Sequence, residues 1–122
     1  MASDAADWVI KYRRILLVED DFMIASQFAR ELANLGAEVV GPAGSLSRAI
    51  ELAETADFDC ALVDINLRGV EAYPVADALL RRGSPVAFVS GYDRSHIPER
   101  YKNVPLIQKP VDPSEVARAL AG

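Results

Sequence analysis

Along this chain, short unbroken apolar runs alternate with segments whose apolar residues recur every three or four positions. The runs are Arg14 to Val18 (RILLV), Ala37 to Gly41 (AEVVG), Cys60 to Ile65 (CALVDI), Val86 to Ser90 (VAFVS) and Val104 to Gln108 (VPLIQ). A run that is continuous, not alternating, predicts a strand covered on both faces. Between the runs, Ala25, Phe28, Ala29, Leu32 and Leu35 mark a helix that stops at Gly36. Leu46, Ala49, Ile50, Leu52 and Ala53 mark a second, and Val75, Ala76, Leu79 and Leu80 a third that ends near Gly83. The closing DPSEVARAL carries Asp112 as N-cap, Pro113 at the first helical position and Glu115 two residues on. Between the fourth and fifth runs, GYDRSHIPERYKN contains Pro98 and admits a short helix at most. Parallel strands need crossovers, and right-handed crossovers put helices on both faces of a sheet. The expected fold class is therefore α/β, a five-stranded parallel sheet, doubly wound, with a short or irregular fourth helix.

Composition narrows the function classes. With 122 residues, half of them apolar and a quarter charged, one compact domain with a single core is expected. A net charge of −5 repels phosphate backbones and anionic lipid, so neither nucleic acid nor membrane is an expected partner. Cys60 is the only cysteine; it reads as a small buried strand residue, and a reducing, cytoplasmic setting follows. The first residues, MASDAADWVIKYRR, place acids where a secretory leader needs cations. Residues 1–13 are expected as an N-terminal extension, for which packing as an extra helix is favoured over a docking role, and 14–122 as the domain proper.

In an open parallel sheet, ligands gather beyond the carboxyl ends of the strands. Strand one ends in Glu19 and Asp20, strand three in Asp64 with Asn66 following, strand four in Ser90 and strand five in Lys109. Strand two ends in Val40, Gly41 and Pro42, which carry no chemistry, so the order 2-1-3-4-5 sets the four reactive ends side by side. Two unit charges about 4 Å apart interact by about 4 kcal/mol at an effective dielectric of about 20. Crowded carboxylates of this kind raise one another's pKa unless a cation joins them. With only oxygen donors at hand, a hard ion such as Mg²⁺ fits better than zinc. Lys109 and Ser90 across the pocket then suit the oxygens of a phosphoryl group.

These residues, in this order at strand ends, resemble the response-regulator receiver domain, from about Arg14 to the C-terminus. The strand order 2-1-3-4-5 is itself that of the chemotaxis regulator, so it belongs with the resemblance. The resemblance implies that Asp64 is the phosphoacceptor, taking its phosphoryl group from a sensor histidine kinase or a phosphotransfer protein. It further implies Mg²⁺ on the carboxylates of Asp20 and Asp64 and the backbone carbonyl of Asn66, with Glu19 acting mainly through water. Ser90 and Lys109 would hold the phosphoryl oxygens, and the bond from Lys109 to Pro110 would be cis. Asp21 reads as the cap of helix one, not as a ligand.

The sequence also departs from the family's pattern. Where many receivers carry Tyr or Phe, three residues before the lysine, this chain has Leu106. Phe88 to Tyr92 (FVSGY) resembles the subgroup named for Phe-Ala-Thr-Gly-Gly/Tyr, whose members are often stand-alone receivers paired with kinases of the HWE or related type. On that likeness Gly91 is expected to let the loop close over a phosphoryl group, with Tyr92 as the moving aromatic. His96 reads as solvated or locally bonded. The chain is expected to act without an output domain, through a downstream protein partner, promoting only its own phosphorylation and dephosphorylation. Two other classes are set beside this one. A magnesium-dependent phosphatase or nucleotidyl-transfer enzyme would need an Asp-x-Asp spacing that VEDD and DIN lack, and an unphosphorylated binding module is the third reading.

Overall fold

The computed structural model describes residues 13–120. The expected N-terminal extension lies outside them except for Arg13 at its end. Strands β1 (Arg14–Val18), β2 (Glu38–Ala43), β3 (Cys60–Asp64), β6 (Val86–Ser90) and β7 (Leu106–Gln108) form one parallel sheet in the order β2-β1-β3-β6-β7. This is the expected 2-1-3-4-5 arrangement once a small antiparallel hairpin, β4 (Asn66–Leu67) with β5 (Val70–Glu71), is set aside. The helices are α1 (Phe22–Asn34), α2 (Leu46–Thr55), α3 (Tyr73–Arg82) and α4 (Pro113–Leu120). Among the described residues no helix is long and apolar enough to cross a membrane.

The central strands alternate between two cores. Ile15, Leu17, Cys60, Leu62, Ala87, Val89 and Ile107 pack with Ala25, Phe28 and Leu32 of α1 and with Val116 and Leu120 of α4. Leu16, Val18, Ala61, Val63 and Phe88 pack with Ala49 and Ala53 of α2 and with Val75, Ala76 and Leu79 of α3. Because β1, β3 and β6 bury both faces, neither face can carry polar residues, which is why their sequences read as unbroken apolar runs. Cys60 is fully buried, and burial pushes its thiol up to about 11.

Three strands differ from expectation, β3 only in ending at Asp64, one residue before Ile65. β2 begins at Glu38 and runs on through Pro42 to Ala43, with a register irregularity opposite β1. Gly41 makes this possible: it holds φ +98°, and a Cβ there would lie 2.9 Å from the Ala43 nitrogen. The extension reaches the site, since the Ala43 carbonyl accepts the Glu19 amide at 3.0 Å. β7 starts at Leu106, not at Val104, because Pro105 has no amide to donate to a ladder.

Between β6 and β7 the fourth helix is replaced by two single 3₁₀ turns, Arg94–His96 and Glu99–Tyr101. Arg94 fastens the segment by donating to the carbonyls of Tyr101 and Val104 at 3.1 and 2.6 Å. Tyr101 is buried against the sheet, stacked on Tyr73 at 4.9 Å and edge-on to Phe88 at 5.5 Å. Its hydroxyl donates to Asp77 Oδ1 at 2.6 Å. Burial first, and that hydrogen bond second, raise the phenol above its ordinary value, so it remains a donor.

Candidate functional site

Register decides which side chains meet. Val18 lies opposite Val63, Asp64 opposite Val89, and Ser90 opposite Gln108. Glu19 and Asp64 therefore stand at one level, with Ser90 one residue beyond and Lys109 two. The period of two puts Glu19, Asp64 and Lys109 on the side of the sheet that α1 and α4 cover, and Ser90 on the side of α2 and α3.

At the meeting point Lys109 Nζ lies 2.8 Å from Asp64 Oδ2 and 3.7 Å from Glu19 Oε1. The Asn66 amide donates to Asp64 Oδ1 at 2.9 Å, and the Asp21 amide to Glu19 Oε2 at 3.1 Å. Glu19, Asp64 and Ser90 are the buried polar residues among those described. One oxygen from each of Glu19, Asp20 and Asp64 falls within 4.8 Å of the others. Asp21 turns away and caps α1, accepting from the amides of Met23 and Ile24 at 2.9 and 3.1 Å.

The charges balance unevenly. Burial, chiefly, and then Asp64 beside it push the Glu19 carboxyl up to about 8, against the Asp21 amide and Lys109, which pull it down. Burial pulls the Lys109 ammonium down, but its hydrogen bond to Asp64 and the charges of Asp64, Glu19 and Asp20 outweigh that, and its pKa is raised. Among the described residues, Glu19 Oε1 is buried with no hydrogen-bond partner. An orphaned carboxylate oxygen within a cluster of acidic oxygens is what a small hard cation, or a water bound to it, would satisfy. The residues present thus fit a magnesium ion.

Around this centre, the Ser90 hydroxyl accepts from the Tyr92 amide at 2.9 Å, leaving its own proton free to donate. The Lys109 amide donates to the Ser90 carbonyl at 2.9 Å, and the Lys109–Pro110 bond is cis. Gly91 has open space where a Cβ would lie, so in this conformation nothing around it requires glycine. Tyr92 is 55% exposed, with its ring centred 5.1 Å from that of His96, which is bonded locally to Asp93. Leu106, at the start of β7, packs half-buried against the α2/α3 core, away from the acids.

The sequence reading missed Arg68. It sits at the tip of the β4–β5 hairpin with its Nε 3.9 Å from Asp20 Oδ2. A lone arginine before a glycine reads as a solvated turn, and only the hairpin, anchored by the bond from the Gly69 amide to Asn66 Oδ1, aims it at the acids.

Comparisons with known proteins bear on the family and the fold. The response regulator receiver domain family matches residues 15–121. The solution structure of SdrG from Sphingomonas melonis Fr1 superposes with a TM-score of 0.78 at 35% identity, over 89% of this chain and 93% of that one. The crystal structure of the response regulator PhyR from Brucella abortus gives a TM-score of 0.76 at 26% identity, over 94% of this chain and 50% of that one. The transcriptional regulatory protein PdtaR of Mycobacterium tuberculosis is 26% identical over 106 residues, covering 86% of this chain. The chain spans 52% of PdtaR's length, about half.

Proposed function

We propose, from the premise that this chain belongs to the response regulator receiver domain family, that it accepts a phosphoryl group on Asp64 and signals through a protein partner. Two-component signalling follows from the family itself. The observation that carries the rest is the ion pair of Asp64 with Lys109 at 2.8 Å, closed in by Glu19 and Asp20.

In the proposed step an Asp64 oxygen attacks phosphorus in line with the bond to a histidine nitrogen of a sensor kinase or phosphotransfer protein. The O–P bond forms as the P–N bond breaks, and the imidazole nitrogen keeps the electron pair and takes a proton. Lys109 follows the charge from the carboxylate to the phosphoryl oxygens, and the Ser90 hydroxyl donates to one of them. Magnesium, when bound, neutralises charge shared by the acceptor and the phosphoryl oxygens. The Asp20 and Asp64 carboxylates and the Asn66 carbonyl would hold it, with Glu19 reached through water. Residues 14–122 would constitute the receiver, acting in the cytoplasm.

Intact mass after incubation with Mg²⁺ and a small acyl phosphate tests the reading. Wild-type protein is expected to gain one phosphoryl group, and to gain none when the metal is chelated. Steady turnover of the donor without an adduct would instead indicate an enzyme, and no reaction at all a binding module.

The fifth-strand aromatic of other receivers is absent at Leu106, so the change of state is proposed to leave through Gly91 and Tyr92. The bond from the Tyr92 amide to Ser90 Oγ, at 2.9 Å, supports this route. Addition of a beryllofluoride phosphoryl mimic is expected to move the amide resonances of both residues. Unmoved resonances at both would remove them from the relay.

A further inference from the structure

We infer that Arg68 is a built-in competitor of the divalent ion: its guanidinium is held beside Asp20, 3.9 Å from the carboxylate, where its charge opposes the ion's. The inference rests on the magnesium site proposed above. Asp20 is the outermost acid of the cluster, its side chain 18% exposed against 2% for Glu19 and 5% for Asp64. Lys109 reaches the two inner carboxylates and makes no ion pair with Asp20. Among the described residues, Arg68 is the cation paired with the third, from the solvent side, at 3.9 Å.

Two further features agree with a displaceable contact. The Arg68 side chain is 81% exposed, so it can swing into water at little cost. Its backbone is fixed, however, at φ +53° in the two-residue turn between β4 and β5, which pairs Asn66 with Glu71 and Leu67 with Val70. The guanidinium is thus tethered beside Asn66, whose carbonyl belongs to the same proposed site. Independently, the buried Glu19 Oε1 has Lys109 Nζ at 3.7 Å but no hydrogen-bond partner among the described residues, which leaves room for a cation or its water.

Calorimetric titration of chelator-treated protein with magnesium chloride at low ionic strength tests this. Arg68→Asn removes the charge, and asparagine tolerates the left-handed turn. An exposed pair of this kind is worth a small factor, so the variant is expected to bind Mg²⁺ roughly two- to five-fold more tightly than wild type. Arg68→Lys, which keeps the charge, should fall between the two. About 1 M salt, which screens exposed charges, should bring the affinities together. Equal or weaker binding by Arg68→Asn at low salt would overturn the inference while leaving the magnesium site standing. Failure of wild-type protein to bind Mg²⁺ at all would overturn both.

Discussion

Lys109→Met and Asp64→Asn proteins are both expected to remain unphosphorylated, yet to part company in stability. The first should lose about 3 kcal/mol relative to wild type in metal-free buffer near neutral pH, toward the lower end of what breaking a buried pair costs. Water reaches the ammonium, 30% exposed, and moderates the loss. What remains is a buried Asp64 facing other acidic oxygens within 4.8 Å with no cation against it.

Asp64→Asn removes a charge that takes part in terms of both signs. It forfeits the 2.8 Å attraction to Lys109 and at the same time the repulsion from Asp20, whose carboxylate oxygen lies within 4.8 Å. The new amide oxygen can still accept from the Asn66 amide. The two effects oppose each other and no charge is left buried, so this variant should lose clearly less than Lys109→Met, which strands the Asp64 carboxylate. Urea denaturation beside intact mass checks both outcomes. A Lys109→Met protein as stable as wild type would mean that the ammonium does not compensate the acids.

The second large effect concerns pH. Glu19 has its carboxyl raised from 4.5 to about 8. Between those values the folded state keeps a proton that the unfolded chain has released. The contribution is therefore intact below pH 4.5 and is lost as pH rises through 8. Each pKa unit is worth about 1.4 kcal/mol, which sets the whole loss at roughly 3–5 kcal/mol for metal-free protein. Glu19→Gln keeps an acceptor for the Asp21 amide and has nothing to titrate. Its advantage over wild type should grow across the window and be greatest at pH 9. Saturating Mg²⁺ should flatten the wild-type decline, because a cation favours the ionised carboxylate, and its affinity should weaken as pH falls below 8. Parallel denaturation curves for the two proteins at every pH would refute this account of Glu19.

The crowding of Glu19, Asp20 and Asp21 that stands out in the sequence thus resolves into three different environments. Asp21 caps a helix, Asp20 faces the solvent and Arg68, and Glu19 is buried and holds on to its proton. Its place just ahead of the helix marked Asp21 as the cap, but nothing in the letters separates the surroundings of Glu19 from those of Asp20, because that difference comes from the pleat and from the Ala43 carbonyl that fixes Glu19. Strands β1 and β6 match their apolar runs to the residue, since burial on both faces leaves a signal with sharp ends. The β4–β5 hairpin left no such trace; two residues a side are too few to show a period. Tyr101 escaped for another reason. Its segment reads as polar loop, and its burial depends on Tyr73 and Phe88, distant in sequence. The strand-end residues were legible because a parallel sheet places every strand's carboxyl end at the same edge, whatever the loops do.

Strand β3 is bonded to a neighbour on each side and buried along its length, and Asp64 is its last residue. An atom anchored there cannot travel out to meet a visitor. In the proposed chemistry every donor, and every later recipient, must carry its own reacting group to that single point. Two visitors could not share it, so on that proposal exchanges through this domain would be sequential, and rival proteins would be sorted by competition for one doorway.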